Sequence, residues 1–158
     1  MAIAAVRNYF KTYGREQEIL EFAQSSATVE LAALALQVIP ARIAKTLSFK
    51  HETSCILVVT AGDAKVDNRK YKEEFGIKAK MLSPDEVLAL TGHAIGGVCP
   101  FGIENTAVRV YADISLKRFE TVFPACGSSN SAIELNCSEL FQYARAVKWV
   151  DVCKGWRD

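Results

Sequence analysis

Two β-branched and apolar runs, Thr46 to Phe49 and Cys55 to Thr60, flank the polar turn His51-Glu52-Thr53, and no other feature of the sequence limits the fold as much. Such residues fit a pleated surface packed against neighbours, so the pattern predicts a β-hairpin at the centre of a sheet, closed by Gly62-Asp63. The rest of the chain has to cover that hairpin.

The covering elements are marked by caps and breakers. Val6, Phe10 and Tyr13 recur at helical spacing with Gly14 placed to end the helix, and Glu18 to Phe22 reads as a short strand. Ser25, Ser26 and Thr28 offer caps for a second helix through Ala35, which stops before Pro40 because the residue preceding proline avoids helical dihedrals. Asp67 caps a helix to Phe75 that Gly76 terminates, and Ser83-Pro84-Asp85-Glu86 is a capping box opening a helix that ends at Gly92. Further strands are expected at Ala107 to Tyr111, Thr121 to Cys126, Ala132 to Leu135 and Val147 to Val152, with a last helix from Ser138. Hairpins mixed with helices, without a linker or repeat, predict one α/β domain over 1–158, with a mixed, largely antiparallel sheet or barrel surrounded by helices. A regular βαβ winding of the dinucleotide-binding kind is not expected.

Nineteen basic and eighteen acidic side chains leave a net charge of +1, so any nucleic-acid contact must come from a local patch, and no DNA partner is expected. The densest basic stretch, Lys65 to Lys80, is interrupted by Asp67, Glu73 and Glu74 and reads more readily as a solvated helix face than as an RNA-binding patch. The opening residues lack the pattern of a secretory signal, and Val29 to Ile39 is too short and too polar to span a bilayer. A cytoplasmic protein without a membrane partner is expected. The five cysteines, Cys55, Cys99, Cys126, Cys137 and Cys153, are scattered and odd in number, suggesting neither a disulfide framework nor a zinc site.

Three loops use residue types that suit close approach to a ligand. In Ala44-Lys45-Thr46 a lone lysine sits between apolar segments, either desolvated enough to hold a phosphate, a carbonyl or a ribose hydroxyl, or with its stem packed and its ammonium in water. The stretch from Gly92 to Gly102 has two adjacent glycines, Gly96 and Gly97, then Pro100-Phe101-Gly102. Its amides suit an oxyanion or phosphate, though it is neither a P-loop nor a dinucleotide fingerprint, and a wide turn is the plain alternative. Cys126-Gly127-Ser128-Ser129-Asn130 is a tight turn between strands that pairs a glycine with hydroxyl and amide groups.

Together these segments resemble the YbaK/ProX-like aminoacyl-tRNA editing domains, also known as the prolyl-tRNA synthetase insertion-domain family. The resemblance covers nearly the whole chain and rests on Ile43-Ala44-Lys45-Thr46-Leu47, Thr60-Ala61-Gly62-Asp63 with Val66-Asp67, Gly96 to Gly102 and Cys126 to Asn130. The glycine-rich stretch is most similar to the free-standing, single-domain bacterial branch. The resemblance implies a fold of that kind and a deacylase for mischarged tRNA, without metal or cofactor. It implies Lys45 as the critical side chain, Gly96, Gly97 and Gly127 at the reacting end, and Thr28, Thr46, Pro100, Phe101, Ser128 and Asn130 as substrate-binding positions. Its partners would be the 3′ end of an aminoacyl-tRNA, tRNA-Pro or another tRNA carrying a small amino acid, and prolyl-tRNA synthetase as a candidate. Cys99 stands where many relatives carry proline, and Ser128-Ser129 differs from the turns frequent there, which bears on substrate choice.

An aminoacyl ester is already activated, so an enzyme needs to position water and stabilise an oxyanion, which fits the lack of a nucleophile triad. Backbone amides of the glycine loops would hold the oxyanion while Lys45 fixes the terminal adenosine or the carbonyl, and a ribose hydroxyl assists the water. Phe101 or Tyr13 could stack on the single-stranded end, or both could be core. Rival readings are a thiol hydrolase built on Cys99 and His93, a binding module that kept the pocket without turnover, and His51 with His93 as metal ligands.

Overall fold

The computed structural model describes residues 2–157. Helix α1 (Ala2–Lys11) leads to a short strand β1 (Leu20–Glu21), helix α2 (Val29–Leu36), and the hairpin β2 (Ile43–His51) and β3 (Ser54–Ala61). Strand β4 (Lys65–Val66), helices α3 (Asn68–Phe75) and α4 (Pro84–Thr91), and strands β5 (Arg109–Asp113), β6 (Thr121–Pro124), β7 (Ser131–Ala132) and β8 (Leu135–Asn136) follow. Helix α5 (Cys137–Tyr143) and strands β9 (Trp149–Val150) and β10 (Cys153–Lys154) end the order.

The hairpin is central, as its composition requires. The six-stranded sheet runs β8-β6-β2-β3-β5-β9 and is mixed: β2 with β3 and β6 with β8 are antiparallel, whereas β2 with β6, β3 with β5 and β5 with β9 are parallel. Ile56, Leu57, Val58 and Val59 are buried on both faces of β3, each contributing about 1.5–3 kcal/mol by leaving water. On one side Phe10 of α1 meets Phe101 and Tyr143 edge-on, at 4.9 and 5.4 Å between ring centroids. Elsewhere Tyr71 of α3 packs on Phe49, at 4.9 Å.

The helix boundaries follow the caps. Thr28 Oγ1 accepts from the Leu31 amide, Asp67 from the Arg69 and Lys70 amides, and Ser83 with Glu86 forms the reciprocal box. Three expected strands are broken. Residues 16–18 form a 3-10 turn closed by Arg15 on Glu18, leaving only Leu20–Glu21 extended. The stretch 132–135 divides between β7, which pairs with β1, and β8, which pairs with β6. The stretch 147–152 divides because the buried Asp113 carboxylate takes the Val152 amide at 2.9 Å, after which β10 joins β4. Among the described residues no helix is long and apolar enough to cross a membrane.

Candidate active site

The site forms where β2 changes partners. Its outer edge is paired with β6 at Ile43 and Ala44, and is taken up again farther on, where Leu82 donates to the Ser48 carbonyl and Lys50 donates to Lys80. Between these, Lys45 to Leu47 have no outer strand among the described residues. Main-chain groups alternate sides along a strand, so Ser48 and Lys50 facing outward places the Thr46 N–H and C=O outward as well. The gap opens into a cavity of about 240 Å³, with Ser26 to Val29 at the start of α2, Gly96 and Val98 of the glycine-rich loop, and Ala125, Ser131 and Ala132 beyond β6 around it. Ala32, Ala44, Ala125 and Ala132 make much of the wall apolar.

Lys45 lines this cavity, half-buried, and its Nζ donates a long 3.5 Å hydrogen bond to the Gly62 carbonyl. Burial lowers its pKa below the ordinary 10.5, with Lys65 acting in the same direction and Cys153, Asp63 and Glu30 opposing. Thr46 brings a side-chain hydroxyl that is shielded from water and has no hydrogen-bond partner, an uncompensated polar group on the cavity wall.

The two glycine-bearing loops meet, and their glycines serve that contact. A Cβ on Gly97 would fall 2.8 Å from the Ser128 nitrogen and 2.9 Å from its Cα and carbonyl carbon, so only glycine permits the approach. Gly127 is pressed against α1, where a Cβ would lie 2.8 Å from the Ala2 oxygen. Gly96, by contrast, is on the cavity wall. The Ser128 hydroxyl donates to Asn130 Oδ1 at 2.9 Å and lies 2.7 Å from Ser131 Oγ, while Asn130 Nδ2 donates to the Phe22 carbonyl at 2.9 Å. These bonds tie the turn to the segment before α2. Phe101 is wholly within the core, and Pro100 lines a separate hollow beside Tyr9 and Tyr143.

Of the residues singled out in the sequence, Lys45, Thr46, Thr28 and Gly96 therefore share one cavity, and Gly97, Gly127, Ser128 and Asn130 form the scaffold behind it. Ser48 and Ser131, both buried cavity residues, were not singled out. The spacing Ala44, Thr46, Ser48 puts small or hydroxyl side chains on one face of β2 and was the available signal.

Residues 23–143 match the sequence profile of the aminoacyl-tRNA editing domain. The chain belongs to this family. The editing domain is 56% identical over 157 residues to YwhH of Bacillus subtilis strain 168, itself uncharacterized, with 99% of each chain covered. It is 29% identical over 103 residues to a proline–tRNA ligase of Geobacillus sp. strain WCH70, a match over 65% of this chain but 18% of the ligase. Its fold superposes on a solved protein proposed as a trans-editing enzyme for prolyl-tRNA synthetase, with a TM-score of 0.87, 29% identity and 98% of each chain covered.

Proposed function

We propose that this editing domain is a deacylase that acts in trans on a mischarged tRNA, tRNA-Pro or another tRNA carrying a small amino acid. The observation that carries the reading is the cavity at the interrupted edge of β2, where a half-buried lysine, an unpaired strand edge and an unpartnered hydroxyl converge.

In the proposed reaction, water oxygen bonds to the ester carbonyl carbon, the carbon–oxygen bond to the ribose breaks, and the departing ribose oxygen takes up a proton. Negative charge collects on the carbonyl oxygen in the transition state, where the outward main-chain N–H of Thr46 would donate to it beside the backbone of Gly96. Lys45 fixes the terminal adenosine or the carbonyl, and a ribose hydroxyl assists the water. The scheme uses no metal and no cofactor. A mostly apolar cavity of about 240 Å³ suits a small aminoacyl group, and a second sieve is needed because one methylene distinguishes amino acids by only ~1–3 kcal/mol in an apolar pocket.

The test is a panel of tRNAs charged with alanine, serine, cysteine, threonine and proline analogues, incubated with the wild type and with Lys45→Ala. Hydrolysis of one or more small aminoacyl esters above the blank, lost in Lys45→Ala, is expected. Binding without turnover would make the domain a recruiting module, and full activity in Lys45→Ala would remove the lysine from the mechanism.

A further inference from the structure

A carboxylate that pairs with an ammonium competes with a substrate for it, and the loop beside Lys45 carries a carboxylate. Asp63 directly follows Gly62, whose carbonyl accepts the Lys45 bond. That loop packs closely on its surroundings: a Cβ on Gly62 would fall 2.1 Å from the Pro40 oxygen and 2.8 Å from Val29 Cγ1, so only glycine fits there. Yet among the described residues Lys45 forms no ion pair, and Asp63 turns to Arg118 instead. Arg118 Nη1 meets Oδ2 at 2.9 Å and Nη2 meets Oδ1 at 2.6 Å, a two-bond fork occupying both carboxylate oxygens.

Arg118 is itself held on several sides. Its Nε donates to the Ser115 carbonyl at 2.9 Å and its Nη1 to the Trp156 carbonyl at 3.2 Å. Its guanidinium lies over the rings of Phe119 and Trp156, at 4.8 and 5.1 Å from their centroids. Residues 153–154, as β10, bind the neighbouring β4 and bring Trp156 to this place. Residues 144–157 lie beyond the matched family segment, so this support comes from outside it.

We propose that Arg118 is a positioning residue for Lys45: by occupying both oxygens of Asp63 it keeps that carboxylate from pairing with the lysine, leaving the ammonium to the cavity. The proposal rests on Lys45 being the critical side chain of the deacylase. The electrostatics agree with it. Asp63 raises the Lys45 pKa and Lys45 lowers that of Asp63, while Arg118 is the larger influence on Asp63. The other groups facing Lys45 are Cys153 and Glu30, which raise its pKa, and Lys65, which lowers it; Glu30 is exposed to solvent.

The experiment removes the fork and then the carboxylate it holds. Arg118→Met is expected to lower kcat about tenfold with little change in KM, and adding Asp63→Asn in that background is expected to restore kcat to within about threefold of wild type. Rescue by a second substitution is the readout that a merely structural role would not produce. Wild-type kcat in Arg118→Met, or a double variant as slow as the single one, overturns the proposal. Should the wild type hydrolyse no mischarged tRNA, the deacylase reading fails and the fork is read directly, by nuclear magnetic resonance titration of the Lys45 ammonium. Arg118→Met should then raise the Lys45 midpoint and Asp63→Asn should bring it back down; an unmoved midpoint overturns the proposal independently of turnover.

Discussion

The Nε2 atom of His93 lies 3.6 Å from the Cys99 sulfur and 2.8 Å from the Phe101 carbonyl oxygen, and both side chains are sealed from water. The shorter contact assigns the proton: Nε2–H donates to the carbonyl, so no lone pair is directed at the sulfur, and Nδ1 is left without a partner. Burial pushes the Cys99 thiol up to about 12. A cysteine and a histidine thus meet in space without the electronic relationship a nucleophile and base require. Cys99→Ala should keep deacylase activity within about threefold of wild type. Iodoacetamide inactivation at neutral pH that substrate protects against would show the opposite.

The same histidine gives stability a pH dependence. Burial holds its pKa below the ordinary 6.5, so the unfolded chain binds the proton more readily than the folded one. The contribution is present above about pH 6.5 and is lost as pH falls below it. Thermal melts of the wild type should therefore drop between pH 7 and pH 5 more steeply than those of His93→Asn. Parallel curves would show that His93 does not contribute.

For Lys45 the sign is different, because the charged form is the working one. Deacylation above the blank should fall as pH rises through a midpoint below 10.5, the ordinary lysine value, since burial has already weakened the ammonium. Lys45→Arg stays charged throughout and should lack that alkaline limb whatever its absolute rate. A limb retained in Lys45→Arg would belong to another group.

Thr46→Val separates folding from function. The hydroxyl has no partner in the folded protein, so removing it should leave stability unchanged or raise it by about 1 kcal/mol. If the substrate is that partner, kcat/KM should fall about tenfold in the same variant. Equal kcat/KM values for variant and wild type would exclude contact between this hydroxyl and the substrate.

Gly97→Ala tests the junction of the two loops. Its Cβ would meet main-chain atoms of Ser128 at 2.8–2.9 Å, which no side-chain rotation relieves. A loss of about 1–3 kcal/mol in stability is expected, together with lower turnover as Gly96 is carried away from the cavity. Unchanged stability in chemical denaturation would show that the turn yields easily.

What the sequence disclosed follows the range of the interactions involved. The Ser83–Glu86 box and the Asp67 cap are settled within one helical turn, and both form where their residues indicate. The hairpin was equally legible, because the runs around His51-Glu52-Thr53 have little alternative to burial. The divided edge of β2 was not. It depends on a parallel pairing with Phe123 and Pro124, and on residues 80–82, which carry no strand pattern of their own. Phe101 shows the converse difficulty, since an aromatic in a glycine-rich loop reads either as a stacking platform or as core, and only the contact with Phe10 decides for core.

The break in β2 pairing also bears on solubility. A bare strand edge invites other chains to add to it, but here the bare stretch covers only Lys45 to Leu47. That is too short to template a foreign strand, and half-buried side chains crowd the approach. The protein can keep main-chain hydrogen-bonding capacity exposed to a small guest while denying it to other polypeptides.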